Sequence, residues 1–165
     1  MSAIEAASPP SDAASSIGAE DPRGAEDPRR EIKEFLPHRE PFLFVDKVEI
    51  VEGRILAERS YPESEWFFQG HFPGHPVVPG VILVETMAQC GGVGIRKMGI
   101  RNAGTFLFAK IREARFRRPV QPGERLDMVI ENVKATPRIV HQRGVGSVGG
   151  EIAVEAEWIA IVGAE

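Results

Sequence analysis

The chain lacks the residues that would staple it covalently or carry it through a bilayer. It has one cysteine, Cys90, in 165 residues, so no intrachain disulfide can form, which fits a reducing cytosolic setting. No apolar run reaches the about 18–20 residues that a membrane-spanning helix needs. The formal charge of −4 gives no overall basic footprint for nucleic acid. The first residues hold no charged segment followed by an apolar one, so no secretory signal is expected, and they are too acidic for an organelle transit peptide. With no membrane or nucleic-acid signature, the expected location is cytoplasmic.

Hydrophobic residues make up 42% of the chain, enough for one domain with a sizeable core. Residues 1–29 are Ala, Ser, Pro, Gly, Asp and Glu with few large apolar side chains, and they contain a direct repeat, GAEDPR at Gly18–Arg23 and again at Gly24–Arg29. Two copies of six residues are too short for a solenoid, so this stretch reads as a disordered acidic tail, with the domain at 30–165.

The domain is organised around Gly70–Gly99. Pro73, Gly74, Pro76, Pro79 and Gly80 forbid regular structure at its start and make a tight loop that carries His71 and His75. From Gly80 an apolar run leads to Arg96, Lys97 and Gly99, which predicts a helix with a Pro-Gly entrance, a basic last turn and a glycine stop. It is apolar on nearly every side and should be buried. Ahead of it, Arg30–Leu36 reads as a short helix stopped by Pro37, and Phe42–Val51 with Arg54–Tyr61 as a hairpin around Glu52-Gly53. Trp66, Phe67 and Phe68 should form an apolar plug before His71. After it, Thr105–Arg118, Arg125–Ala135, Ile139–Val148 and Glu151–Val162 read as four more strands. The fold class is therefore α+β, an antiparallel sheet packed on one long helix.

Within that helix Glu85 and Gln89 lie four apart and share a face. A carboxylate in an apolar helix is costly unless it is paired, neutralised or needed. His71 titrates near neutral pH and can act as a base. A metal is not expected, because the Pro- and Gly-broken His71/His75 spacing is no helical ligand pair and no second motif adds ligands. His38, His75 and His141 read as structural or solvated, and Cys90 as a small core residue with no basic neighbour in sequence. Gly91, Gly92 and Gly94 should permit close packing of the helix backbone. Arg112, Arg115, Arg117 and Arg118 form a basic cluster. Its plain reading is a solvated strand face with intrachain ion pairs, and the alternative is an anion-docking patch.

LPHREPFLFVD at Leu36–Asp46, FFQGHFPGHPVVPGVILVETMAQ at Phe67–Gln89 and ARFRRPVQPGE at Ala114–Glu124 occur together in that order. With them the chain, from about Ile32 to Val162, resembles the (3R)-hydroxyacyl-acyl-carrier-protein dehydratases of type II fatty acid synthesis, the FabZ type. The resemblance implies the hot-dog fold, a sheet wrapped around a central helix. It also implies a homodimer as the minimal active unit, often a trimer of dimers, and no cofactor. The partner it implies is an acyl carrier protein bearing the substrate on 4'-phosphopantetheine.

Carried over, the resemblance makes His71 the catalytic histidine and Glu85 its acidic partner, met across a subunit boundary. It makes Gly80 the glycine whose N–H binds the thioester carbonyl, and Gln89 the residue that orients the acid. Gly91-Gly92 departs from the family pattern and could alter the acyl tunnel. Dehydration needs a base at C2, a donor for the charge growing on the thioester oxygen and an acid for the departing C3 hydroxyl. His71 can supply the first, the helix N-terminal N–H of Gly80 or Val81 the second, and Glu85, kept proton-bearing by apolar surroundings, the third. Arg115, Arg117 and Arg118 would dock the carrier. Competing expectations are a hot-dog acyl thioesterase and a non-catalytic acyl-binding module.

Overall fold

The structure is a computed structural model that describes residues 27, 29–100 and 104–163. The expected acidic tail with its repeat lies almost wholly outside these residues, as does most of the turn expected at 101–104. The elements are α1 (Arg30–Phe35), β1 (Lys47–Val51), β2 (Arg54–Ser60), a single 3-10 turn (Trp66–Gln69), α2 (Gly80–Lys97), β3 (Phe106–Phe116), β4 (Arg125–Ala135), β5 (Ile139–Val148) and β6 (Glu151–Val162). The strands form one six-stranded sheet in the order β1-β2-β4-β5-β6-β3, and every neighbouring pair is antiparallel. Helix α2 touches all six strands, so the sheet curls around it as expected.

α2 keeps its apolar faces inside because its backbone comes unusually close to the sheet. A Cβ on Gly94 would lie 2.4 Å from the Ile55 side chain, and one on Gly91 would lie 2.2 Å from the Gln142 amide. Only glycine allows both approaches. The helix stops where Gly99 takes a positive φ of 69°. Ile100 N–H then bonds Ile95 O and Gly99 N–H bonds Arg96 O, which satisfies two terminal carbonyls. The burial is not complete: Val81 is 75% exposed, and Glu85 and Ala88 are only partly covered. These residues, three and four apart, mark one open stripe along an otherwise enclosed helix.

Two expectations change. The first strand begins at Lys47, not Phe42. Residues 43–45 are buried, but their backbone pairs with a side chain in place of a strand: Phe44 N–H donates to Gln89 Oε1 at 2.8 Å and Gln89 Nε2 donates to Phe42 O at 3.1 Å. In the expected plug, Phe67 and Phe68 are buried but Trp66 is 51% exposed, since its ring meets Phe67 edge-on and its N–H reaches out to Pro41 O.

β3 is an edge strand with almost no burial on either face. Leu107, Phe108, Ile111 and Phe116 are each more than two-fifths exposed. An open, apolar edge is a template for pairing with another chain.

Candidate active site

His71 sits in a loop that bonds to itself. Val77 N–H donates to His71 O, and Phe72 and His75 exchange backbone hydrogen bonds. The His71 ring adds a 2.9 Å contact from Nδ1 to Val77 O. A carbonyl can only accept, so the proton of the neutral ring sits on Nδ1 and Nε2 presents its lone pair. This is the form a general base requires.

Pro79 is the N-cap residue of α2, with no side-chain cap. The first turn starts with Ile82 and Leu83 N–H on Pro79 O. No hydrogen bond among the described residues claims the N–H of Gly80 or Val81. These N–H groups lie at the positive end of the helix, where anionic charge is stabilised. Gly80 packs close to β3: a Cβ there would come within 2.8 Å of the half-exposed Phe116 ring, which would have to shift.

Glu85 lies one and a half turns further on. Gln89 Nε2 donates to its Oε1 at 2.9 Å, and His38 Nε2 stands 3.7 Å from the same oxygen. Its side chain is 19% exposed. The dry setting expected from sequence is thus only partial, because the stripe that holds Glu85 is the uncovered side of α2. Glu85, His38 and Gln89 line a cavity of about 40 Å³ that runs toward Gly92, Gln142 and Trp158. Gln142 is buried there, with its amide donating to Gly91 O and Asn132 Oδ1. Gly92 therefore lines the cavity, and Gly91 abuts the amide that closes one wall.

His71 is not among the residues of that cavity, and no contact among the described residues joins it to Glu85. The single chain brings together Glu85, Gln89 and His38, and keeps His71 with the Gly80 and Val81 N–H groups as separate pieces. The sequence pattern reads His38 as structural or solvated because the carboxylate it stands beside is 47 residues away. The only signal was its place in the Leu36–Asp46 motif.

The arginines follow their plain reading. Arg115 pairs with Glu113 at 2.5 Å and Arg117 with Glu155 at 2.6 Å. Arg118 pairs with Glu124 at 2.8 Å and with Glu151 at 3.5 Å. Arg117 and Arg118 lie beyond the end of β3. His141 bonds Glu157 at 2.7 Å, and that contact holds the Glu157 carboxyl below its usual range. Cys90 is fully buried, and burial pushes its thiol far up, so it is inert as a nucleophile. Among the described residues, no group of three or more His, Cys, Asp or Glu is placed to hold a metal ion, and no helix is long and apolar enough to cross a membrane.

An antiparallel sheet rolled around one long buried helix defines the hot-dog class. Solved structures share it. A dehydratase heterocomplex, ApeI:P, from Xenorhabdus doucetiae superposes with a TM-score of 0.70 at 18% identity, covering 81% of this chain and 91% of that one. An uncharacterized protein from Pyrococcus horikoshii gives a TM-score of 0.59 at 16% identity, covering 80% and 93%. At these identities the likeness concerns the fold. Sequence goes further. A FabA-like domain model matches residues 36–157. The 3-hydroxyacyl-[acyl-carrier-protein] dehydratase FabZ of Aromatoleum aromaticum is 48% identical over 134 residues, covering 77% of this chain and 91% of that protein. The protein of the same name from Pectobacterium atrosepticum is 45% identical over 130 residues, covering 76% and 86%. The chain belongs to the FabA-like family and, within it, to the FabZ dehydratases.

Proposed function

We propose that this chain dehydrates (3R)-3-hydroxyacyl thioesters on acyl carrier protein to trans-2-enoyl thioesters in fatty acid synthesis. FabZ membership supports the reaction. The observation that carries it to particular residues is Glu85, held by Gln89 on the wall of a cavity whose other lining is mostly apolar. His71 Nε2 takes the C2 proton. The N–H groups of Gly80 and Val81 take up the charge growing on the thioester oxygen, and such a donor is worth about 3–4 kcal/mol of barrier. The C2 electron pair forms the alkene as the C3–O bond breaks, and Glu85 protonates the departing hydroxyl to water.

The separation of His71 from Glu85 within one chain supports a homodimer in which one protomer's His71 faces its partner's Glu85. The apolar, unpaired β3 edge and exposed Val81 supply surface for that contact. A trimer of such dimers would complete the assembly. The carrier would reach Arg115, Arg117 and Arg118 by exchanging their intrachain carboxylates, a cheap exchange because exposed pairs are worth about 0–1 kcal/mol. The acyl-carrier-protein substrate named for the relatives supports a cytoplasmic location.

The test is alkene formation from a 3-hydroxyacyl-carrier substrate, read by absorbance and by a mass loss of one water. Thiol release from an acyl thioester without alkene would establish a thioesterase instead. Mixing His71→Ala with Glu85→Gln tests the shared site. If it spans two protomers, random reassortment restores about a quarter of the wild-type rate, since half the dimers are mixed and each has one intact site. If it lies within one chain, nothing is restored.

A further inference from the structure

His38 is the residue of the cavity wall that the proposed mechanism leaves without a task. It follows Pro37, which ends the approach from α1, and its ring stacks on Phe42 with centroids 6.5 Å apart. Its Nε2 stands 3.7 Å from Glu85 Oε1, and its Nδ1 is buried with no hydrogen-bond partner. Of the charged groups around the ring, Glu85 faces it. The Arg39 guanidinium is drawn off by the carbonyls of Leu36, His38 and Lys33.

Hydrogen-bonding roles here can be assigned from their partners. Gln89 Oε1 must be the amide oxygen, because it accepts Phe44 N–H, so Gln89 Nε2 is the donor to Glu85 Oε1. For His38, a buried N–H without an acceptor is rarer and costlier than a bare acceptor. The neutral ring therefore leaves Nδ1 bare and carries its proton on Nε2, aimed at Glu85. Two N–H donors thus converge on one carboxyl oxygen. Glu85 Oε2 has no partner among the described residues.

Resting on the dehydratase reading, we propose that His38 is a positioning residue. Together with Gln89 it makes Oε1 the accepting oxygen of Glu85 and leaves Oε2 as the oxygen that carries the proton to the departing C3 hydroxyl. When that O–H bond breaks, the pair of electrons stays on Glu85, and both N–H groups stabilise the new carboxylate. At 3.7 Å the His38 contact is longer than a hydrogen bond, and it closes as substrate fills the cavity, as catalytic contacts commonly do.

The experiment compares His38→Phe with His38→Gln in the full-length protein, using a 3-hydroxyacyl-carrier substrate. Phenylalanine keeps a ring against Phe42 but removes the donor, and glutamine keeps an N–H near the position of Nε2. A hydrogen bond to a charged group is worth enough to lower kcat about 10- to 100-fold in His38→Phe, with KM changed by less than about threefold. His38→Gln should recover to within about fivefold of wild type and keep the wild-type pH profile. If the Phe variant does not fold, His38→Leu is read in the same way. Wild-type kcat in the donor-free variant overturns the proposal, as does an equal loss in both variants at unchanged Tm, which would make the ring's packing the cause. A wild-type protein that forms no alkene overturns the dehydratase reading as well, so the two failures are distinguishable.

Discussion

Two ionic clusters flank residues 42–46, and they are built on opposite plans. Arg59 is 5% exposed. Its terminal nitrogens bond Asp46 at 2.8 Å and Glu65, and the Phe44 and Tyr61 rings pack against its guanidinium. Asp46 in turn accepts Ser60 N–H at 2.7 Å. Each charge there is opposed by another. Glu85, by contrast, is met by an amide, a neutral imidazole and a cavity, with one oxygen left open. Ion pairing through both terminal nitrogens locks β2 to the loops on either side of it, and of that guanidinium only Arg59 Nε stays buried without a partner among the described residues. Around Glu85 one oxygen has no partner among the described residues, as the proposed mechanism requires, and that difference separates architecture from proposed chemistry in this chain.

Removing one member of each cluster should give opposite signatures, and these are the largest effects expected. Arg59→Ala leaves two carboxylates unopposed and should cost about 3–5 kcal/mol of stability. Urea unfolding would show it as a lower midpoint, with turnover per folded molecule little changed. Glu85→Gln removes the proposed proton donor and should lower kcat about 100- to 10,000-fold while Tm moves little. A Glu85→Gln protein with wild-type turnover would dissolve the contrast by placing Glu85 among the structural charges.

Gln89 belongs to both plans and should show both effects at smaller size. Gln89→Leu strips Phe44 N–H and Phe42 O of their partner as well as freeing Glu85. A buried unsatisfied group costs about 1–3 kcal/mol, so unfolding midpoint and kcat should fall together. Loss of only one would assign Gln89 to one cluster.

A smaller effect is written in pH. Burial holds His38 below the usual imidazole range, with Arg39 adding to the effect and Glu85 opposing it. Between the ordinary value near 6.5 and the lower folded one, the unfolded chain binds more protons. Stability from this group is therefore full above about pH 6.5, is lost as pH falls through that window, and changes no further below it. Urea midpoints at pH 7.5 and 5.5 should differ more in wild type than in His38→Gln. Equal differences would show that the ring is not desolvated in solution.

The fold was legible because its signals are local. Pro79-Gly80 and Gly99 bracket α2, Gly149-Gly150 turns β5 into β6, and alternation carries β4 to β6. Glu85 and Gln89 were legible as a helical pair. What sequence could not give is contact across long separations. The Gln89 amide standing in for a strand beside Phe42–Phe44, the Arg59 cluster and His38 at Glu85 all join residues far apart or of unlike elements. The arginine cluster shows the same limit: its spacing shows side chains adjacent in sequence, and the carboxylates that pair with them come from β3 itself, from β6 and from the Gln121–Glu124 turn.

The outer face of the sheet offers a third arrangement, fully paired yet exposed, and the smallest expected effect. Arg143 and Glu131 sit opposite one another on β5 and β4, joined at 2.8 Å, with side chains 65% and 42% exposed. Water already solvates both groups, so pairing adds little. Arg143→Gln should change stability by less than about 1 kcal/mol, shrink further in high salt and leave kcat unchanged. A large loss of turnover in that variant would mean that pairing and exposure do not sort the charges of this protein by role.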